Sequence, residues 1–217
     1  MRRQASPRAI ARLHEATRRG AVDEIKELLK SKEVHVDARD SEGATPLCRA
    51  CESGHLPVVQ ALSAHGARRA SVRDGAGGLF AEEAAEHHAD VLTWLQRSRA
   101  WVTALHHSPV LEEADVLELL RSGADLHARR YGMCNAPSPL DVAVQMGEGC
   151  AASQLIIQAS QPWSPKTHHL FPQAARARAV ELMRIGHQLA ATFATEAPGG
   201  LLDAWLFIIQ LSVRRGR

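Results

Sequence analysis

Two thiols, Cys48 and Cys51, are spaced CxxC, and His55 follows four residues later. On a helix the positions i and i+3 share a face, so these side chains have the types expected of a zinc or redox site. A tetrahedral site needs a further ligand, and the sequence holds no second CxxC and no HxxxH to supply it. The histidines include three adjacent pairs, His87-His88, His106-His107 and His168-His169. Neighbours on a helix point about 100° apart, which keeps such a pair from chelating one ion together. No Walker loop, GxGxxG, GxSxG or HExxH motif occurs. Phosphate cradles, dinucleotide loops and activated nucleophiles are therefore not indicated. The chain is expected not to be an enzyme, with no catalytic residues, no cofactor and no bound metal.

Charge and hydropathy exclude further classes. There are 26 basic against 24 acidic residues, a formal net charge of +2, so the electrostatic footprint of a nucleic-acid binder is missing. Arginines gather at the two ends, in MRRQASPRAIAR and SVRRGR, and are read as solvated termini. The longest apolar stretch, LLDAWLFIIQL, is about half the roughly 20 residues needed to cross a bilayer and contains Asp203 and Gln210. No membrane span is expected. Cys48, Cys51, Cys134 and Cys150, in a chain with no apolar leader, point to free thiols in a reducing compartment, cytoplasm or nucleus. Only 4% of residues are aromatic while 45% are hydrophobic, mostly Ala, Leu and Val, which suits thin stacked helices and an all-α fold.

The elements that position these residues follow from an internal repeat. TPLCRACESGHLPVVQALSAHGA, Thr45 to Ala67, reads as helix, turn, helix, turn. Thr45 offers an N-cap hydroxyl and Pro46 fits the first helical position, where its missing N–H costs nothing. Gly54 falls where the chain must turn left-handed. Leu56, Val59 and Leu62 then give a second helix its apolar stripe, closed by Gly66. LHEATRRGAVDEIKELLKSKEVHVDARD, Leu13 to Asp40, repeats the pattern, and Leu13 and Leu47 lie 34 residues apart.

From Asp40 to Ala67 the residues are similar to the ankyrin repeat: a turn Asp and Gly, then TPLH, AA, GH, VV, LL and GA. In that resemblance Cys48 takes the His position and Cys51 the second Ala, both facing the interior, where a free cysteine behaves as a small hydrophobe. His14 and His106 take the TPLH position, where the ring is expected to bond backbone between repeats. A third copy places Phe80 on Leu47, Ala84 on Cys51, Val91 on Val58, Leu92 on Val59 and Leu95 on Leu62. It is degenerate, with His87 in place of the turn glycine, and is expected to be the softest interface of the stack. A fourth copy runs from Thr103, Leu105 and His106 to Gly123-Ala124-Asp125, and a fifth from SPLDVAVQMG through Gly147 to GEGCAASQLIIQAS. The expectation is an all-α ankyrin-repeat solenoid of about five helix-pair units. The array covers 8–160, with units at approximately 8–39, 40–72, 73–100, 101–132 and 133–160.

Beyond it, residues 161–217 are expected to form a C-terminal helical cap. Their WSP, THHLFP and ARARAVELMRIG motifs resemble a tail that ends ankyrin arrays in protist proteins. A helix from about Pro172 to Ala191 is expected to turn Val180, Leu182, Met183 and Leu189 inward against the last repeat. A final helix, Gly200 to Val213, is apolar on nearly all sides and is expected to fold back on the cap or to dock a partner.

The resemblance implies a module that binds a protein partner through its hairpin tips and the concave face of its inner helices. Carried over position by position, the candidate contacts are Arg39, Glu42, Arg49, Glu52, Arg73, Asp74, Arg129, Arg130 and Tyr131. Tyr and Arg are enriched at binding hot spots, which puts Arg129, Arg130 and Tyr131 first. No nucleic-acid or membrane partner is expected, and the chain is expected to be monomeric. The alternative is an adaptor that recruits a modifying enzyme, such as a ubiquitin ligase component, through the C-terminal hydrophobic helix, although the cullin-contact motif is missing.

Overall fold

The computed structural model describes residues 6–69, 80–132, 135–192 and 200–213, and the regular elements among them are helical. Two compact units divide the chain: Met1–Val110 with Arg129–Ala136, and Leu111–Ala128 with Pro137–Arg217.

In the first unit, α1 (Pro7–Arg19) and α2 (Val22–Lys30) form the first pair, α3 (Pro46–Glu52) and α4 (Leu56–Ala64) the second, and α5 (Ala81–Ala84) and α6 (Ala89–Arg97) the third. Each of the first two begins on a proline placed where no amide donor is needed. Thr45 Oγ1 caps α3 by accepting the Cys48 N–H at 3.4 Å. Helix α1 packs on α3 and α3 on α5, while α2 packs on α4 and α4 on α6 and on the 3-10 turn Ala104–His107. One row of inner helices thus lies against one row of outer helices. Leu13, Ile25, Leu47, Val58, Val59, Leu62, Val91 and Leu95 fill the space between them and are fully buried. Each contributes about 1.5–3 kcal/mol on leaving water, which no single pair collects alone.

The third pair departs from the expected register. Phe80 is 53% exposed and does not occupy the place of Leu47; Ala81 and Ala85 are the buried positions. The chain enters α5 one residue late because Phe80 is its N-cap, its N–H donating to Glu83 Oε2 at 3.0 Å. Lys32 is a second irregularity. It stands two residues past α2, in the left-handed conformation (φ 57) that Gly66 adopts two residues past α4, and for an L-residue this costs about 1–2 kcal/mol.

The second unit holds α7 (Glu113–Arg121), α8 (Pro139–Met146) and α9 (Ala151–Ser160). Helix α8 starts on a reciprocal cap: Ser138 Oγ accepts the Asp141 N–H at 3.2 Å, and the Ser138 N–H donates to Asp141 Oδ2 at 2.9 Å. Gly147 is not equivalent to Gly20. Its ψ is −153 rather than 21, and it opens a 3-10 turn, Gly147–Gly149, that absorbs the inserted residues before α9. The tail then buries Trp163, Leu170 and Phe171, and its 3-10 turn His168–Leu170 packs on α7.

Helix α10 (Gln173–Thr192) packs chiefly against α11 (Gly200–Ser212). Its inward residues differ from those expected: Val180 is 57% exposed and Leu189 36%, whereas Ala179 is buried and Leu182 and Met183 are half-buried. Small residues win this face because the Trp205 indole lies on it. A Cβ at Gly186 would stand 2.0 Å from Trp205 Cδ1, and Trp205 Nε1 donates to the Leu182 carbonyl at 2.5 Å. Helix α11 buries Ile209 and leaves Phe207, Ile208 and Leu211 exposed.

Candidate functional site

At the tip between the first two pairs, the Asp40 carboxylate closes a tight turn. Its Oδ1 accepts the N–H groups of Glu42 and Ala44, each at 2.9 Å. Its Oδ2 accepts from Arg49 Nε on α3 at 2.9 Å. The same guanidinium reaches Glu52 Oε2 at 3.0 Å and also pairs with Glu42. Burial works to raise the Asp40 carboxyl, but the Ala44 and Glu42 amides and Arg49 outweigh it and hold it below the ordinary carboxylate range. The bond from Glu42, then those from Asp40 and Glu52, hold the Arg49 proton more tightly than usual despite partial burial. Three candidate residues, Glu42, Arg49 and Glu52, thus form one cluster around Asp40. Arg39 is exposed next to it.

This cluster borders a groove of about 510 Å³ whose other wall is α1. Ile10 and Ala11 supply apolar surface there, and Arg18, Arg39 and Glu42 supply charge. The second candidate cluster is built differently. Arg130 donates to the Arg99 carbonyl at 2.8 Å and Arg129 to the Ala136 carbonyl at 3.3 Å, so both guanidinium groups tie backbone. Tyr131 between them and Gly132 is fully exposed. Arg73 and Asp74 lie outside the described residues.

Among the described residues the cysteines and histidines do not gather into a metal-binding group. Cys48 and Cys51 are buried in the core, and burial pushes the Cys51 thiol up to about 12. His55 Nε2 donates to the Arg18 carbonyl at 2.9 Å, and His88 Nε2 to the Glu52 carbonyl at 3.1 Å. Each ring lies over the turn glycine of the preceding pair: a Cβ would come within 3.3 Å of the His55 ring at Gly20 and within 2.4 Å of the His88 ring at Gly54. These two histidines, 33 residues apart, form a ladder linking successive pairs that sequence reasoning did not assign. His14 Nε2 donates to the Ala38 carbonyl at 2.8 Å, a backbone bond inside the unit 8–39 where one between repeats was expected. At His106, Nδ1 accepts the Thr103 N–H of its own unit at 3.2 Å. His168 Nδ1 accepts from Trp163 Nε1 at 3.1 Å.

Residues 8–74 match the family model of ankyrin repeats (three copies). Residues 8–74 are ankyrin repeats. The chain is 44% identical over 52 residues to ankyrin repeat domain-containing protein 49 of Homo sapiens, covering 24% of this chain and 22% of that protein. It is 46% identical over 56 residues to alpha-latrotoxin-Lh1a of Latrodectus hasselti, covering 26% of this chain and 4% of the toxin. The chain therefore spans only a small part of the length of either relative. A chain from the complex of a predatory endopeptidase of Bdellovibrio bacteriovorus with an immunity protein aligns over 72% of this chain and 83% of its own length, at 19% identity and a TM-score of 0.38, too loosely to carry an argument. Ankyrin repeats indicate a module for protein–protein interaction. Among the described residues no helix is long and apolar enough to cross a membrane.

One ring of the array sets a pH dependence. His107 is buried, and burial first, with the charges of His106 and Arg69 adding, pushes its imidazolium down to about 3. Below pH 6.5 the unfolded chain takes up a proton here that the folded chain refuses until about pH 3. Stability is accordingly lost as the pH falls through this window, by about 1 kcal/mol per pH unit. Burial lowers His14 in the same direction. The melting temperature is expected to drop between pH 7.5 and pH 5.5, and His107→Phe to flatten the drop. An equal drop in the Phe variant assigns the acid sensitivity elsewhere.

Proposed function

We propose that this chain is a non-catalytic module that binds a protein partner through the hairpin tips and inner-helix face of its repeats. The observation that carries this reading is the groove between α1 and the Asp40 turn, where an apolar strip lies beside charges held in place by Arg49. Interfaces combine such an apolar centre with a polar rim, and fixed charges at the rim select the partner and its register. Arg39 and Glu42 contact the partner directly, while Arg49 and Glu52 position the tip. Tyr131 is the second contact, an exposed aromatic directly following Arg129 and Arg130. The resemblance also names Arg73 and Asp74 as contacts. The module acts as a monomer in the cytoplasm or nucleus.

Affinity capture with quantitative mass spectrometry, comparing the wild-type chain with Arg39→Glu/Tyr131→Ala, tests the reading. Neither side chain is buried, so the melting curve stays where it is while specifically recovered proteins fall about tenfold. An unchanged recovery profile overturns the assigned surface.

The apolar residues that α11 leaves exposed, Phe207, Ile208 and Leu211, support the second reading, recruitment of a modifying enzyme through this helix. Phe207→Ser/Leu211→Ser separates the two: an adaptor retains its partner and loses the enzyme.

A further inference from the structure

Where α4 ends and the segment 101–107 passes it, the first unit has a half-open cavity of about 360 Å³, within the size range of small-molecule sites. Ser63, Arg69, Trp101, Thr103 and His107 are among its walls. Two of them present polar atoms that have no hydrogen-bond partner, Ser63 Oγ and His107 Nδ1, although the residues are only 9% and 6% exposed. Buried polar atoms are nearly always satisfied, by protein, by ordered water or by a ligand. Other hydroxyls of the same unit turn back onto their helix: Thr17 donates to the Leu13 carbonyl at 2.7 Å and Ser98 to the Trp94 carbonyl at 2.8 Å. Ser63 does not. The His107 ring cannot swing to find a partner, because Trp101 meets it edge-on at 5.0 Å and Trp94 lies against it at 5.8 Å.

The sign of the missing partner follows from the surrounding charge. Arg69 donates to the Leu95 carbonyl at 2.6 Å and to Ser98 Oγ at 2.7 Å, both neutral, and its charge faces the Glu82 carboxylate at 3.3 Å. That charge reaches His107, and the charge of Arg130 reaches Arg69. No acidic residue lines the cavity among the described residues. Arg69, partly offset by Glu82, is the one arginine or lysine among the described lining residues; the Ser63 hydroxyl and His107, in its Nδ1–H tautomer, are free to donate, and Trp101 offers a flat apolar face.

We infer that this cavity binds a small organic monocarboxylate, whose oxygens accept from Ser63 Oγ and His107 Nδ1 and whose apolar part lies on the Trp101 indole. The site stands apart from the protein-binding groove and does not depend on that reading. It is tested on the full chain by following the His107 ring nitrogens by NMR during titration with propionate and benzoate, with benzamide as the uncharged control. The carboxylates shift the His107 signals saturably and raise the pH at which the ring protonates. Ser63→Ala, which removes an unpartnered hydroxyl without disturbing the packing, weakens binding about tenfold, the effect of one hydrogen bond to a charged group. Signals unmoved by either acid, benzamide binding as tightly as benzoate, or unchanged affinity in Ser63→Ala each overturn the assignment. So does a crystal grown with benzoate in which only ordered water bridges the two side chains.

Discussion

Replacing Trp163 by alanine lowers the melting temperature of the chain by roughly 10 °C or more. The indole is 1% exposed and is the largest fully buried side chain of the protein. Its Nε1 donates to His168, whose ring meets it edge-on at 5.8 Å. Truncating such a residue costs about 3–5 kcal/mol, the transfer term plus the void left behind. The void opens beside an existing cavity of about 300 Å³ lined by Trp163, Phe171 and Val213, so the walls have little with which to refill it. Differential scanning calorimetry measures the shift, and amide exchange in α7 and α9 accelerates with it. Trp163→Phe keeps an aromatic ring in place, loses the N–H donor and part of the indole's buried volume, and recovers part of the stability. A melting temperature unchanged in Trp163→Ala would show that the tail does not hold this unit together.

Gly54→Ala costs about 2–3 kcal/mol, of which about 1–2 is the left-handed backbone and about 1 is a lost hydrogen bond. The backbone contribution follows from φ +69. The second arises because the new methyl would stand 2.4 Å from His88 Nδ1, so the ring leaves its place and its bond to the Glu52 carbonyl. Comparison positions separate the two. A Cβ at Gly66, at φ +83, meets nothing within 4 Å, so Gly66→Ala carries the backbone cost alone. In a double-mutant cycle with His88→Ala, the clash is gone and Gly54→Ala costs only what Gly66→Ala does. Additive effects of Gly54→Ala and His88→Ala would falsify the ladder as the reason for the glycine.

How much of this was readable in advance depended on whether a property belongs to one segment or to two. The N-caps Thr45 and Ser138, the first-turn prolines and the turn glycines Gly20, Gly54 and Gly66 act within four or five residues, and each appears in the structure where the sequence places it, whereas Gly147 takes a different conformation. The burial of Cys48 and Cys51 is what the resemblance to the ankyrin repeat implies. The candidate site was half legible. Spacing and resemblance named Glu42, Arg49 and Glu52 separately, but that one guanidinium gathers all three carboxylates, Asp40 included, depends on α3 standing against the turn. Arg129 and Arg130 were read as free contacts, whereas both hold carbonyl groups, because a loop residue's partner cannot be inferred from its neighbours in sequence.

Local chemistry therefore determined the helices, their ends and the repeat, since hydrogen-bonded turns and apolar stripes are properties of a few consecutive residues. Tertiary packing alone decided that Ala81 replaces Phe80 in the core, that α10 turns Ala179 and Gly186 inward instead of Val180, and that His55 and His88 cover the glycines of the pair before. It also left Ser63 and His107 facing one cavity without partners. Each of these is settled by the volume and hydrogen-bonding groups of a surface some 30 residues away, on which the residue's own flanks carry no information.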